Sequence, residues 1–269
     1  TEATNGARQY NQAIRDAEKA KLIAKAKEVR DRGGRMFHAT FAEGRPACGV
    51  VIYAEAGIPS HVDGMARDFL ENYADPDSLW CEDDIPFPLK DLMDQGLLFM
   101  FERHHDNPSW EKARAHRINA DRGYDPCAPF SPIFAPSSTM EKGFAVGHAT
   151  EILPQKESAC VPLGHVFADS PSAELMAMND PTYKVEKGRT IKLGGVPVDV
   201  RCEVFRVYLT GHDGAEGLVE RARIVGENSE DAVVIGHHGD DENRAGLQKG
   251  VEALGLKYLD GTYLKEYDL

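Results

Sequence analysis

The stretch VPVDVRCEVFRVYLT, residues 196–210, sets Val198, Val200, Cys202 and Val204 against Arg201 and Glu203. A period of two sends alternate side chains to opposite faces, so this run predicts a strand with one wet face, as in an antiparallel sheet. Working backward, residues 143–153, 159–168 and 182–193 are also β-rich, with a short helix near 172–178 between them. Working forward, Ala232–Ile235 is a short apolar strand, followed by a helix over Glu242–Leu254. The run Lys257–Leu264 then reads as a hairpin, because Asp260-Gly261 suits a type I′ turn. The expected fold class is α+β, with a long N-terminal helix, a mixed helix and strand first half, and an antiparallel strand-rich second half.

In the first half, Arg35–Phe41 and Cys48–Ala54 read as strands around a hairpin loop at Glu43–Pro46. Pro59 and Ser60 open an expected helix, with Ser60 and Asp63 at capping-box spacing and Val62, Met65, Ala66, Phe69, Leu70 and Tyr73 as its buried stripe. A short helix over Leu89–Asp94, a strand over Leu97–Phe101 and a helix after Asn107 follow. Pro126, Pro129, Pro132 and Pro136 alternate with Tyr124, Phe130 and Phe134, which reads as an extended segment laid over a surface. Four regions are therefore expected: a basic helical arm (1–34), an α+β region (35–123), a proline and aromatic connection (124–142) and a strand-rich region (143–269).

Charge is unevenly spread. The chain of 269 residues carries a net charge of −13, yet residues 1–35 hold nine basic side chains against five acidic ones. The arm, read as one helix from Ala7 to Arg32, would be about 39 Å long. Tyr10, Ala13, Ala17, Ala20 and Ala24 recur along it, flanked by Ile14 and Val29, so its apolar face is thin and buries little area. Such a helix reads either as a solvated surface helix crossing the domain or as an arm that docks on a neighbouring acidic subunit, with Tyr10, Ile14, Ala17, Ala24, Phe130 and Phe134 at the interface. The acidic body disfavours nucleic acid, which would be repelled. No apolar run reaches the roughly 18 residues of a membrane helix, and the polar first thirty residues do not read as a secretory signal. Five widely spaced cysteines argue for reduced thiols and a cytoplasmic protein rather than a disulfide framework.

Chemistry would gather at glycine–histidine pairs that close β-rich runs: Gly147-His148, Gly164-His165, Gly211-His212 and Gly236-His237. His212-Asp213 and His104-His105-Asp106 add acids beside histidines. The fullest case is AVVIGHHGDDE, residues 232–242, where an apolar strand runs into His237, His238, Asp240 and Asp241. This stretch resembles the strand-end His-x-Asp-Asp-Glu signature of the PIG-L/LmbE zinc deacetylases. The resemblance implies His238 and Asp241 as zinc ligands and Asp240 as general base, in a permuted order, because the family carries the motif after its first strand. The same residues also suit a turn followed by an acidic helix start, which the helix dipole favours without metal.

Two functions fit these features. One is a non-catalytic structural protein of a homo-oligomeric assembly, such as a shell or virion component, self-associating through the arm and needing no cofactor. The other is a metal-dependent hydrolase holding a zinc-like divalent ion with His237, His238, His212, Asp213 and Asp241, and using Asp240 as base. Whether the chain is an enzyme is left open by the sequence.

Overall fold

The computed structural model describes residues 3–78, 87–101, 130–163, 166–178, 189–229 and 231–261. It divides into a larger unit, Lys19–Tyr208, and a smaller one made of Thr1–Glu18 and Leu209–Leu269.

The larger unit is built on a six-stranded sheet in which every pairing is parallel. Its strands are β1 (Met36–Ala39), β2 (Ser60–Val62), β3 (Leu98–Met100), β4 (Ile133–Ala135), β5 (Ala159–Cys160) and, eighth in chain order, β8 (Glu203–Val204), arranged β3-β2-β4-β1-β5-β8. All four residues of β1 and all three of β4 are buried, as expected of strands covered on both faces. Helix α2 (Arg45–Glu55) covers one face, where its Tyr53 packs against His38 and Phe134. Helix α5 (Phe144–Ile152) covers the other, in one cluster with Phe37, Ala39, Ile133 and Ala135. Between them in sequence lie α3 (Met65–Ala74) and α4 (Leu89–Asp94); α6 (Pro171–Ala177) follows β5.

This sheet overturns the expected antiparallel second half. The only antiparallel pair among the described residues is the hairpin of β6 (Thr190–Leu193) and β7 (Val196–Asp199), turned through Gly194 and Gly195 at positive φ. The alternating stretch that suggested a long strand is two short ones: β7 in that hairpin, then β8, parallel to β5 at the sheet edge. Two apolar runs read as strands are helices. In Cys48–Ala54 the decisive signal is Pro46 in the first helical turn, where its missing N–H costs nothing. Phe144–Ile152 buries six of its nine residues, so no period of 3.6 stands out. Conversely, Ser60–Val62 is a strand, and the helix expected from Ser60 begins at Met65. Gly49 explains how α2 sits so close to the sheet, since a Cβ there would lie 2.4 Å from the Phe134 ring.

Phe134, expected at an interface, is a fully buried residue of central strand β4, so part of the supposed connection is core. Phe130 is half-buried, and residues 124–129 lie outside the described residues. The arm is helix α1 (Gln12–Asp31), but its packed side is not the expected one. Leu22, Ala26 and Val29 are fully buried, whereas Ala13, Ala17, Ala20 and Ala24 are exposed and Tyr10 and Ile14 half-buried. Lys25 Nζ and Arg32 Nη2 bind the two oxygens of Glu203 at 2.6 and 3.0 Å. Burial alone would raise the Glu203 pKa, but these donors hold it below the usual carboxylate value. No helix among the described residues is long and apolar enough to cross a membrane.

In the smaller unit, β9 (Val233–Gly236), α8 (Asp241–Ala253) and β10 (Lys257–Asp260) form a strand–helix–strand unit with parallel strands. The first arm of the expected C-terminal hairpin is β10, which pairs with β9, and its second arm, residues 262–264, lies outside the described residues. Helix α7 (Ala215–Glu227) packs Leu218 and Ala222 against Val234, Leu247 and Val251. Ala3 joins this core and donates its N–H to the His237 carbonyl at 2.8 Å.

His38 in β1 reports on burial directly. Its Nδ1–H donates to the Val161 carbonyl and its Nε2 accepts from the Tyr53 hydroxyl, both at 2.9 Å. Burial lowers its pKa to about 4, against the upward pull of the Val161 bond. The unfolded ring takes up a proton near 6.5, so stability is full above that value and falls as pH drops toward about 4. Between neutral pH and about pH 4 the wild type is expected to lose about 3 kcal/mol more unfolding free energy than His38→Gln, measured by urea titration.

Candidate functional site

Polar side chains gather where β2 ends. His61 and Asp63 are two residues apart and so share the face of the sheet covered by α5, while His148 comes from α5 itself. Asp63 is fully buried, His61 is 4% exposed and His148 6%. The Asp63 backbone N–H donates to the Phe134 carbonyl at 2.9 Å, which extends the β2–β4 pairing by one residue and fixes the carboxylate. Asp63 Oδ1 accepts the Gly64 N–H at 2.6 Å, and Oδ2 faces His148 Nε2 at 2.9 Å. Gly64 has φ 61°, and a Cβ there would meet the Phe144 ring at 2.7 Å, so the loops after β2 and β4 meet only because this residue has no side chain.

Aromatic rings enclose the pair. The Phe101 ring centre lies 5.3 Å from His61 and 5.4 Å from His148, and Phe37 lies 5.9 Å from His148. Phe99 stacks on His61 at 4.9 Å, and His61 Nδ1 meets Ser131 Oγ. Arg67 in α3 donates to the Phe101 carbonyl and lies 3.7 Å from Glu71. At the end of β4, Ser137 Oγ and Thr139 Oγ1 are 2.7 Å apart, and Thr139 donates to Glu141 at 2.9 Å.

The chemical content lies in the tautomer. An ionised carboxylate only accepts hydrogen bonds, so Asp63 Oδ2 requires a proton on His148 Nε2. Neutral His148 then carries its lone pair on Nδ1, which has no hydrogen-bond partner among the described residues. This is the arrangement of an oriented base: one nitrogen held by a carboxylate, the other open.

The residues that the sequence offered as metal ligands and base, His212, Asp213, His237, His238, Asp240 and Asp241, lie in the smaller unit. Asp240 is the N-cap of α8; its Oδ1 accepts from Asn243 N at 2.9 Å and Asn243 Nδ2 at 2.8 Å. The Asn243 backbone N–H holds its carboxyl below the usual value, making it a weaker proton acceptor. Asp241 is exposed and pairs with Arg244, which also reaches Asp260 at 3.0 Å. His237 and His238 are exposed, with their rings edge to face at 4.8 Å and His238 at φ 56°. His212 is exposed on the loop before α7, and Asp213 pairs with Arg221 at 2.5 Å. Among the described residues no three or more His, Cys, Asp or Glu side chains are grouped to hold a metal ion. His104, His105, Asp106 and His165 lie outside the described residues.

Sequence reasoning left His61 unread, took Asp63 as a capping-box partner of Ser60, and placed His148 only as one of four glycine–histidine pairs closing β-rich runs, whereas it lies in helix α5. Asp63 and His148 are 85 residues apart, and only the sheet order brings them together. The available signal was His61-Val62-Asp63-Gly64, with two polar groups on one face of a strand that ends in glycine.

Asp240 as a cap makes a different prediction from Asp240 as a base in a zinc site. Asp240→Ala is expected to lower the urea midpoint equally with and without added zinc, and Asp240→Ser to restore it. A loss seen only with zinc present would favour the metal site. No family model matches the chain, and no curated protein matches it.

Proposed function

We propose that this protein is an enzyme acting on a small molecule held at the carboxyl ends of β1, β2 and β4. The observation that carries the reading is the buried Asp63–His148 pair at the end of β2. In open parallel sheets covered on both faces, ligands enter beyond the carboxyl ends of the strands, where the connecting loops diverge. Here the chain leaves β2 toward β3 on one side, and leaves β4 toward β5 on the other. His148 comes from the helix after β4 and Asp63 from the loop after β2, so the pair spans that divergence. A buried ionisable pair with an open nitrogen is costly as a simple brace, and such groups concentrate at functional sites.

The test is a screen of small metabolite-like compounds for thermal stabilisation, with amide chemical shifts mapping each hit. A compound at a hundred times its Kd should stabilise by about 2.7 kcal/mol. Hits are expected to perturb residues 63–67 and 136–148, and to lose affinity on His148→Gln. Hits that map elsewhere, or none from a broad screen, would overturn the reading.

Self-association through α1 is a second reading. It is favoured by Ala13, Ala17, Ala20 and Ala24, which stay exposed along one side of a helix whose other side is packed. Removing residues 1–34 would also remove the core residues Leu22, Ala26 and Val29, so point variants are the better probe. Ala17→Glu with Ala24→Glu should reduce the mass measured by light scattering while leaving the circular dichroism unchanged. An unchanged mass would overturn this reading.

A further inference from the structure

We infer that His148 accepts a proton through Nδ1 from an O–H group of the bound substrate or of water, with Asp63 as its positioning residue. This rests on the reading of the β2–β4 edge as an active site, and specifies its chemistry. In the step, the O–H bond breaks and its electron pair stays on oxygen, while the proton joins the Nδ1 lone pair. The Nε2–H remains on Asp63 Oδ2, 2.9 Å away, so the new imidazolium charge forms beside a carboxylate. The proton returns from Nδ1 to the departing group when the substrate bond breaks, so neither residue is consumed. Phe37 and Phe101 flank the ring and keep water from screening the charge pair, which strengthens that stabilisation. The substrate class is accordingly one whose reaction needs a hydroxyl or water made nucleophilic.

Asp63 does more in this account than fill space. Its Oδ1 is already engaged by the Gly64 N–H. In Asp63→Asn the amide oxygen would keep that bond, turning the NH2 toward Nε2. Nε2 would then have to accept, the proton would move to Nδ1, and the open lone pair would be lost. A purely structural role predicts little change in reactivity from so conservative a replacement.

The experiment needs no substrate. Uniformly 15N-labelled protein at neutral pH should show His148 protonated at Nε2 and bare at Nδ1, and Asp63→Asn should show the reverse. Diethyl pyrocarbonate then reads the lone pair: Nδ1 attacks its carbonyl carbon, ethyl carbonate departs, and the Nε2 proton is released. Peptide mapping should find His148 carbethoxylated in the wild type, and at least about tenfold more slowly in Asp63→Asn. A wild-type ring protonated at Nδ1 or at both nitrogens, or equal rates in the two proteins, would overturn the inference. If Asp63→Asn does not fold, the wild-type tautomer and its reaction with the reagent decide alone. A failed compound screen speaks against the site reading, whereas these results speak only to the role of His148.

Discussion

Covering both sides of a parallel sheet governs the larger unit. With no wet face, each strand must be apolar in both directions or must pair whatever polar group it carries. β1 shows both solutions within four residues: Phe37 packs toward α5, while His38, pointing the other way, is bonded to Val161 and Tyr53 and stacked on Phe134 at 4.6 Å. The strands are two to four residues long, so their ends reach the edge of the covered zone almost at once. Polar groups collect there. Thr40 closes β1 on the Leu163 carbonyl, and Asp63 closes β2 on His148.

Such pairs tie together elements far apart in sequence. Leaving a buried polar group without its hydrogen-bond partner typically costs about 1–3 kcal/mol. Glu203, in edge strand β8, is matched in the same way by Lys25 of α1 and by Arg32 just after it, at a partly exposed position where each pair is worth less. α1 therefore cannot be a free arm along its whole length. Its basic residues serve this chain's own carboxylate, which accounts for part of the positive excess at the start of the sequence.

Legibility in the sequence followed local chemistry. Leu89–Asp94, the strand within Leu97–Phe101, the helix near 172–178 and the strand at 232–235 were all readable, because each is bounded by its own glycine, proline or cap. Sheet direction was not. A strand such as Val233–Gly236 looks the same whether its neighbour runs parallel or antiparallel. The side of α1 that packs on its own chain was not read, for a related reason. Alanines recur at helical spacing on one side, but three larger contacts, Leu22, Ala26 and Val29, outweigh them. The site failed to appear because motif reasoning rewards neighbouring residues. His237, His238, Asp240 and Asp241 cluster in sequence, where an N-cap and an ion pair with Arg244 account for the acids; Asp63 and His148 cluster only in space.

Two buried histidines of the larger unit, His38 in β1 and His148 in α5, differ in how their ring nitrogens are engaged. His38 has both nitrogens engaged, one donating to a carbonyl and one accepting from a phenol, and burial holds it neutral. Nothing is left on that ring to move a proton, and its neighbours would have to be broken first. His148 is nearly as buried but engages one nitrogen only, and its partner is a carboxylate rather than a neutral group. A carboxylate compensates the charge that the ring gains on protonation, which a tyrosine hydroxyl or a peptide carbonyl does far less well. Burial therefore disfavours a charged His38, whereas Asp63 gives a charged His148 a counter-ion. Of these two rings, only His148 has the partner and the open nitrogen that acid–base chemistry requires.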